Sequence, residues 1–101
     1  MGGISIVAKR LKEARLHAGI SQKQLGMKAG IDEFSSSARI NQYERGKHMP
    51  DLQTLARLAD VLRVPVPYFY CPDTELADVI VKFAALSKAQ RRRLLGLIGE
   101  L

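Results

Sequence analysis

The chain has 101 residues, of which 47% are hydrophobic, and carries a formal net charge of +6. That length fits one domain with a short appendage, and that apolar content is too high for a disordered chain. The single cysteine, Cys71, excludes an intrachain disulfide framework and fits a reducing cytoplasm, and no apolar run approaches the roughly 20 residues of a membrane span. No basic segment leads into a long apolar stretch at the N-terminus, so no secretory signal is expected. The charge is unevenly placed: residues 1–50 hold nine Lys/Arg against four Asp/Glu, and residues 73–101 five against four. An excess of that kind suits a polyanionic partner, although a basic surface can also be merely solvated.

The first element predicted is a helix from about Ser5 to Ala18, with Val7, Leu11, Ala14 and Ala18 on one face. Gly19 sits where a helix closes with a left-handed residue. Ser21 with Gln24 three residues later forms a capping box, and Ile20 and Leu25 flank it as a hydrophobic staple. The second helix is short and ends near Ala29-Gly30. Gly26 inside it costs about 1 kcal/mol relative to alanine, which close approach of another helix would explain. A third helix holds Ile40 and Tyr43 on its buried side and ends at Gly46.

Pro50-Asp51 opens a fourth helix with Leu52, Leu55, Leu58/Ala59 and Leu62 as its apolar stripe. Val64-Pro65-Val66-Pro67 breaks it, and a brief helix over Tyr68-Phe69-Tyr70 is expected to cap the core. Pro72-Asp73 is the predicted boundary between a domain over 1–72 and an extension over 73–101. In the extension, Leu76, Val79/Ile80, Phe83 and Leu86 form one amphipathic helix. A second capping box, Ser87-Lys88-Ala89-Gln90, opens another with Leu94, Leu95, Ile98 and Leu101 on one side. That last helix also bears Arg91-Arg92-Arg93. It can pack on its own domain, pair with a second subunit or lie on a membrane surface; pairing is favoured.

Two short helices joined by a turn can place one helix in a DNA major groove while the other crosses the backbone. Ser21-Gln22, Gly26, Ala29-Gly30-Ile31 and Tyr43-Glu44-Arg45-Gly46-Lys47, followed by Pro50 and a Leu-rich helix, resemble the helix-turn-helix family of the phage Cro and CI repressors, also called the XRE family. The similarity covers about Leu11 to Phe69. It implies an all-α, lambda-repressor-like five-helix helix-turn-helix domain, here with a C-terminal helical extension. One departure is plain: ten residues separate Gly30 from Ile40, where the family has six. The four extra residues, within 32–37, either lengthen the turn or add about one turn to the front of the third helix. Asp32 and Glu33 are expected to point away from phosphates.

Carried over by position, the resemblance assigns base contacts to Ser36, Ser37, Ala38 and Gln42. The Gln42 amide can bond adenine N6 and N7 together, Arg39 on the same flank can take guanine or a phosphate, and Ala38 offers a methyl to a thymine methyl. The serine run can instead be a flexible or capping stretch. Ser21, Gln22, Asn41, Arg45 and Lys47 are expected phosphate contacts, Gln22 lying where helix N-terminal N–H groups attract phosphate; such contacts give register more than sequence choice. The resemblance makes Arg15 and Glu44 a partly buried ion pair joining the first helix to the end of the third. Lys9, Arg10 and Lys12 could reach the DNA backbone, but a solvated face is favoured. His17 and His48 have no partner at metal-ligand spacing, and one cysteine cannot complete a zinc site.

The expected function is therefore a cytoplasmic, sequence-specific regulator of transcription, repression being its expected mode, that binds a palindromic double-stranded operator as a homodimer. No cofactor, metal, membrane or catalytic role is expected, since nothing in the chain resembles a paired-carboxylate cleft, a phosphate-cradling loop or a nucleophile–base couple. The competing expectation is an antitoxin or adaptor that holds a protein partner through residues 73–101, with DNA binding secondary.

Overall fold

The computed structural model describes residues 5–101; Met1 to Ile4, the front of the predicted 1–72 domain, lie outside the described residues. Six α-helices and one 3-10 turn follow in order: α1 Ile6–Ala18, α2 Gln22–Lys28, α3 Glu33–Glu44, α4 Leu52–Leu62, the 3-10 turn Val66–Tyr70, α5 Thr74–Ala84 and α6 Lys88–Gly99. The described residues contain no strand, and no helix among them is long and apolar enough to cross a membrane.

Local chemistry sets most of the boundaries. Ser5 caps α1, Ser21 and Gln24 close a reciprocal capping box on α2, and Asp51 caps α4 through Thr54 N–H at 2.7 Å. Gly19 ends α1 with φ 72°, and Gly30 turns between α2 and α3 with φ 92°; an L side chain would be strained at both. The four extra residues do not lengthen that turn. Asp32 caps a twelve-residue α3, its Oδ1 accepting from Phe34 N–H at 2.9 Å, so the insertion is one added turn of helix. Hydrogen bonds from the Ser35 side chain and the Phe34 backbone hold the Asp32 carboxyl below its ordinary range.

The core is built around Leu11, Leu25, Ile40, Leu55, Leu58 and Phe69, all without solvent contact. Tyr68 packs edge-on against Phe69 at 5.5 Å between ring centroids, and Tyr70 faces solvent. α5 contributes Ala77 to the same core, with Ile80 and Val81 packed around it. Two predicted stripes are corrected here. Leu52, the first residue of α4, is 64% exposed, and the buried stripe begins one turn later at Leu55. On α5 the packed side runs through Ala77, so Leu76 and Val79 face water.

The close approach anticipated at Gly26 is with Ser36. A Cβ on Gly26 would lie 2.6 Å from the Ser36 Cβ and 3.0 Å from its Cα, so α2 and α3 meet backbone to backbone. Gly26→Ala is therefore expected to destabilise the fold by about 1–3 kcal/mol through overpacking, although alanine is the better helix former by about 1 kcal/mol. Urea unfolding checks this. An unchanged midpoint would show that the two helices separate without loss.

Arg10 is a further correction. It was expected on a solvated face, yet it is 2% exposed. Its Nε donates to Cys71 O at 2.9 Å, one terminal nitrogen to Pro72 O at 3.2 Å and the other to Glu13 Oε1 at 2.8 Å. The guanidinium also lies 5.7 Å from the Tyr68 ring centroid. A buried guanidinium needs such partners for its donors. Arg10 thereby ties α1 to the chain where the 3-10 turn passes into α5.

α6 is different. None of its residues is buried, and among the described residues no other helix packs closely along its length. Its first turn is held by Arg91, which donates to Phe83 O at 3.1 Å and Ala84 O at 2.9 Å, the last carbonyls of α5. The molecule is accordingly elongated, 50 × 32 × 23 Å.

Candidate nucleic-acid interface

α2 and α3 form the helix pair, and one polar network fixes α3 against α1. Arg15 grips Glu44 with two bonds, Nε to Oε2 at 2.6 Å and Nη2 to Oε1 at 3.0 Å, while Nη1 donates to Ile20 O at 3.0 Å. The Gln22 amide nitrogen donates to Glu44 Oε1 at 3.1 Å and to Asn41 Oδ1 at 3.2 Å. One carboxylate thus joins α1, the start of α2 and the last turn of α3. The side chains of Arg15 and Glu44 are 11% and 2% exposed, which puts the pair out of reach of most solvent screening.

On α3 the buried row is Ser36, Ile40, Tyr43 and Glu44. Ser36 leaves the set of base-contacting residues for that reason. Its hydroxyl is shared between Asp32 O at 2.8 Å and Ile31 O at 3.0 Å, and its Cβ meets α2 at Gly26. The added helical turn puts residue 36 one turn before Ile40 and on the same inner face. Ser37, Ala38, Arg39 and Gln42 are exposed. Helical spacing sets Ala38 and Gln42 four apart on the outward face, with Ser37 and Arg39 at its two edges.

The residues expected at phosphates divide into two groups. Asn41 and Arg45 line a groove between α3 and α1 together with Lys9 and Lys12, so these two α1 lysines share a basic rim with them. Lys47 is exposed just past the end of α3, its N–H bonded to Gln42 O at 2.9 Å. Ser21 spends its acceptor on Gln24 N–H at 3.0 Å, which leaves its hydroxyl proton for a ligand. Gln22 has both amide protons committed to Asn41 and Glu44 and so buttresses α3 in the free protein. The Asn41 amide nitrogen has no intramolecular partner among the described residues, which makes it the readier donor.

His48 and Met49, which sequence reasoning gave no role, line a shallow depression with Arg39, Gln42 and Tyr43. Their place just past Gly46-Lys47 was the one available signal, since the loop leaving α3 has to pass the edge of its outward face.

Comparison with known proteins agrees with this geometry. The family model described as Helix-turn-helix matches residues 11–69. The HTH-type transcriptional regulator ImmR of Bacillus subtilis (strain 168) is 36% identical over 67 residues, which cover 66% of this chain and 50% of that protein. The chain thus spans about half the length of this curated relative. The crystal structure of transcriptional regulator BswR is similar with a TM-score of 0.87 and 52% identity, over 93% of each chain. With the motif, the helix pair and a family model matched over more than half its length, this chain belongs to the Cro/CI-type helix-turn-helix family.

Proposed function

We propose that this chain is a sequence-specific double-stranded DNA-binding regulator of transcription, a repressor acting in the cytoplasm, that inserts α3 into the major groove as a homodimer. The observation that carries it is the outward face of α3. That face is exposed, with Ser37, Arg39 and Gln42 as its hydrogen-bonding groups, and it is held rigid from behind by the Glu44 network and the Gly26–Ser36 contact. Gln42 reads adenine, Arg39 guanine or a neighbouring phosphate, and Ser37 and Ala38 contact adjacent base edges. Asn41, Arg45, Lys47 and Ser21 hold the backbone on the basic side, with Gln22 as a buttress. Residues 73–101 supply the dimer contact, and two-fold symmetry demands a palindromic operator with half-sites about 34–36 Å apart.

Selection from a randomised duplex library tests this, with salt varied and the mass of the complex recorded. An enriched inverted repeat bound by two chains is expected. Salt-sensitive binding without an enriched sequence counts against it and favours the second reading, an antitoxin or adaptor that grips a protein through residues 73–101, whose Leu76, Val79, Leu95, Leu97 and Ile98 are exposed.

The two kinds of contact separate by mutation. Gln42→Ala is expected to lose about 1–3 kcal/mol on the selected site and to relax preference at one base step. Lys47→Ala is expected to weaken all duplexes alike and to lower the salt slope by about one. Fluorescence anisotropy on selected and scrambled duplexes at several salt concentrations distinguishes them. Equal effects of both variants on scrambled DNA would sink the division of roles.

A further inference from the structure

Phe34 is 96% exposed, although it lies in the first turn of a well-capped helix beside a formed core. The backbone that carries it is fixed: its own N–H donates to Asp32 Oδ1 at 2.9 Å, and Ser35 N–H to Asp32 O at 3.1 Å. Phe34 belongs to the turn by which α3 is lengthened, and it stands four residues before Ala38 and eight before Gln42. The row Phe34–Ala38–Gln42 is exposed along its whole length and lies opposite the buried row of Ser36, Ile40, Tyr43 and Glu44. The face offered outward is therefore apolar at its leading end and an amide at its trailing end.

In a helix-turn-helix protein the N-terminal residues of the second helix are the ones that reach base edges. The apolar feature on those edges in the major groove is the C5-methyl of thymine, which alanine and phenylalanine side chains contact. The neighbours of Phe34 do not seat this tip on phosphates, since Asp32 is an acidic cap and Glu33 is paired with Lys23 at 3.5 Å. We infer that Phe34 is a specificity-determining residue that reads a thymine C5-methyl, or the same methyl on 5-methylcytosine, at the leading end of α3. This rests on the proposed DNA-binding function. It adds that each half-site carries a methyl-bearing pyrimidine under Phe34, in addition to the adenine under Gln42.

The test uses the full chain and the duplex recovered by selection, with each thymine replaced in turn by deoxyuridine, which differs only by the missing methyl. Wild type is expected to lose about fourfold in Kd per half-site at one position, the effect of one buried methyl group. At that position 5-methylcytosine is expected to bind more tightly than cytosine. Phe34→Ala is expected to bind the thymine duplex more weakly and to show no difference between thymine and uracil there. Lys47→Ala is expected to keep that difference. Because Phe34 is almost wholly in solvent, its removal leaves the core intact, and the methyl deletion requires no protein variant at all. Sequence-selective binding in which Phe34→Ala keeps the wild-type uridine profile overturns this inference and leaves the DNA-binding proposal standing. Absence of any selective binding overturns both.

Discussion

Glu44→Ala is expected to lower stability by about 3–5 kcal/mol, the usual cost of stranding one partner of a buried ion pair. The size follows from what the carboxylate holds. Its side chain is 2% exposed, and it accepts two bonds from Arg15 and one from Gln22. Without it, Arg15 keeps only its bond to Ile20 O, and its side chain is itself 11% exposed. Glu44→Gln keeps the shape and one acceptor and is expected to fall between alanine and wild type. The double variant Arg15→Ala/Glu44→Ala is expected to lose less than the two single variants together, because neither charge is then left alone. Urea unfolding of the four proteins checks the cycle. A loss below about 1 kcal/mol would mean that the pair behaves like an exposed one. The network also ends α3, so DNA affinity is expected to fall with stability even though Glu44 lies on the buried side of α3 and not on its outward face.

What was legible in the sequence follows from how far apart the interacting residues are. The two capping boxes, Ser21 with Gln24 and Ser87 with Gln90, are complete within four residues and stand in the structure as written. Gly26 announced that some backbone approaches closely, but its partner, Ser36, depends on how α3 begins. The spacing from Gly30 to Ile40 left two possibilities for that, and the cap formed by Asp32 decides between them. Ser36 then turns inward, which periodicity counted only from Ile40 backwards could have shown but a positional likeness did not. Arg10 was illegible for another reason: Glu13 is close in the chain, but the partners that bury it, Cys71 and Pro72, lie more than sixty residues away. Leu52, Leu76 and Val79 show the remaining limit. Periodicity identifies an apolar face, whereas burial requires another element to lie on it. The Arg15–Glu44 pair entered through the family likeness, since nothing in the local pattern joins two residues 29 apart.

The helix with least support in the monomer carries the second large prediction. α6 has twelve residues, near the length at which isolated helices become marginal in water. Its cap and the Arg91 bonds fix only its first turn. Beyond that, Leu95, Leu97 and Ile98 are each more than half exposed, and Leu76 and Val79 of α5 add apolar surface outside the core. A second copy covering this surface would stabilise α6 and supply the symmetry that a two-half-site operator requires. Ile98→Glu is therefore expected to convert the proposed dimer to a monomer in sedimentation velocity while residues 5–84 keep their fold, because Ile98 has no part in the core. Affinity for the full operator is expected to fall by about 10²–10⁴, the advantage of linking two binding events. Affinity for a duplex carrying one half-site is expected to stay the same. If the variant remains dimeric, the subunits meet elsewhere. If it is monomeric yet binds the full operator as wild type does, residues 73–101 serve a different partner.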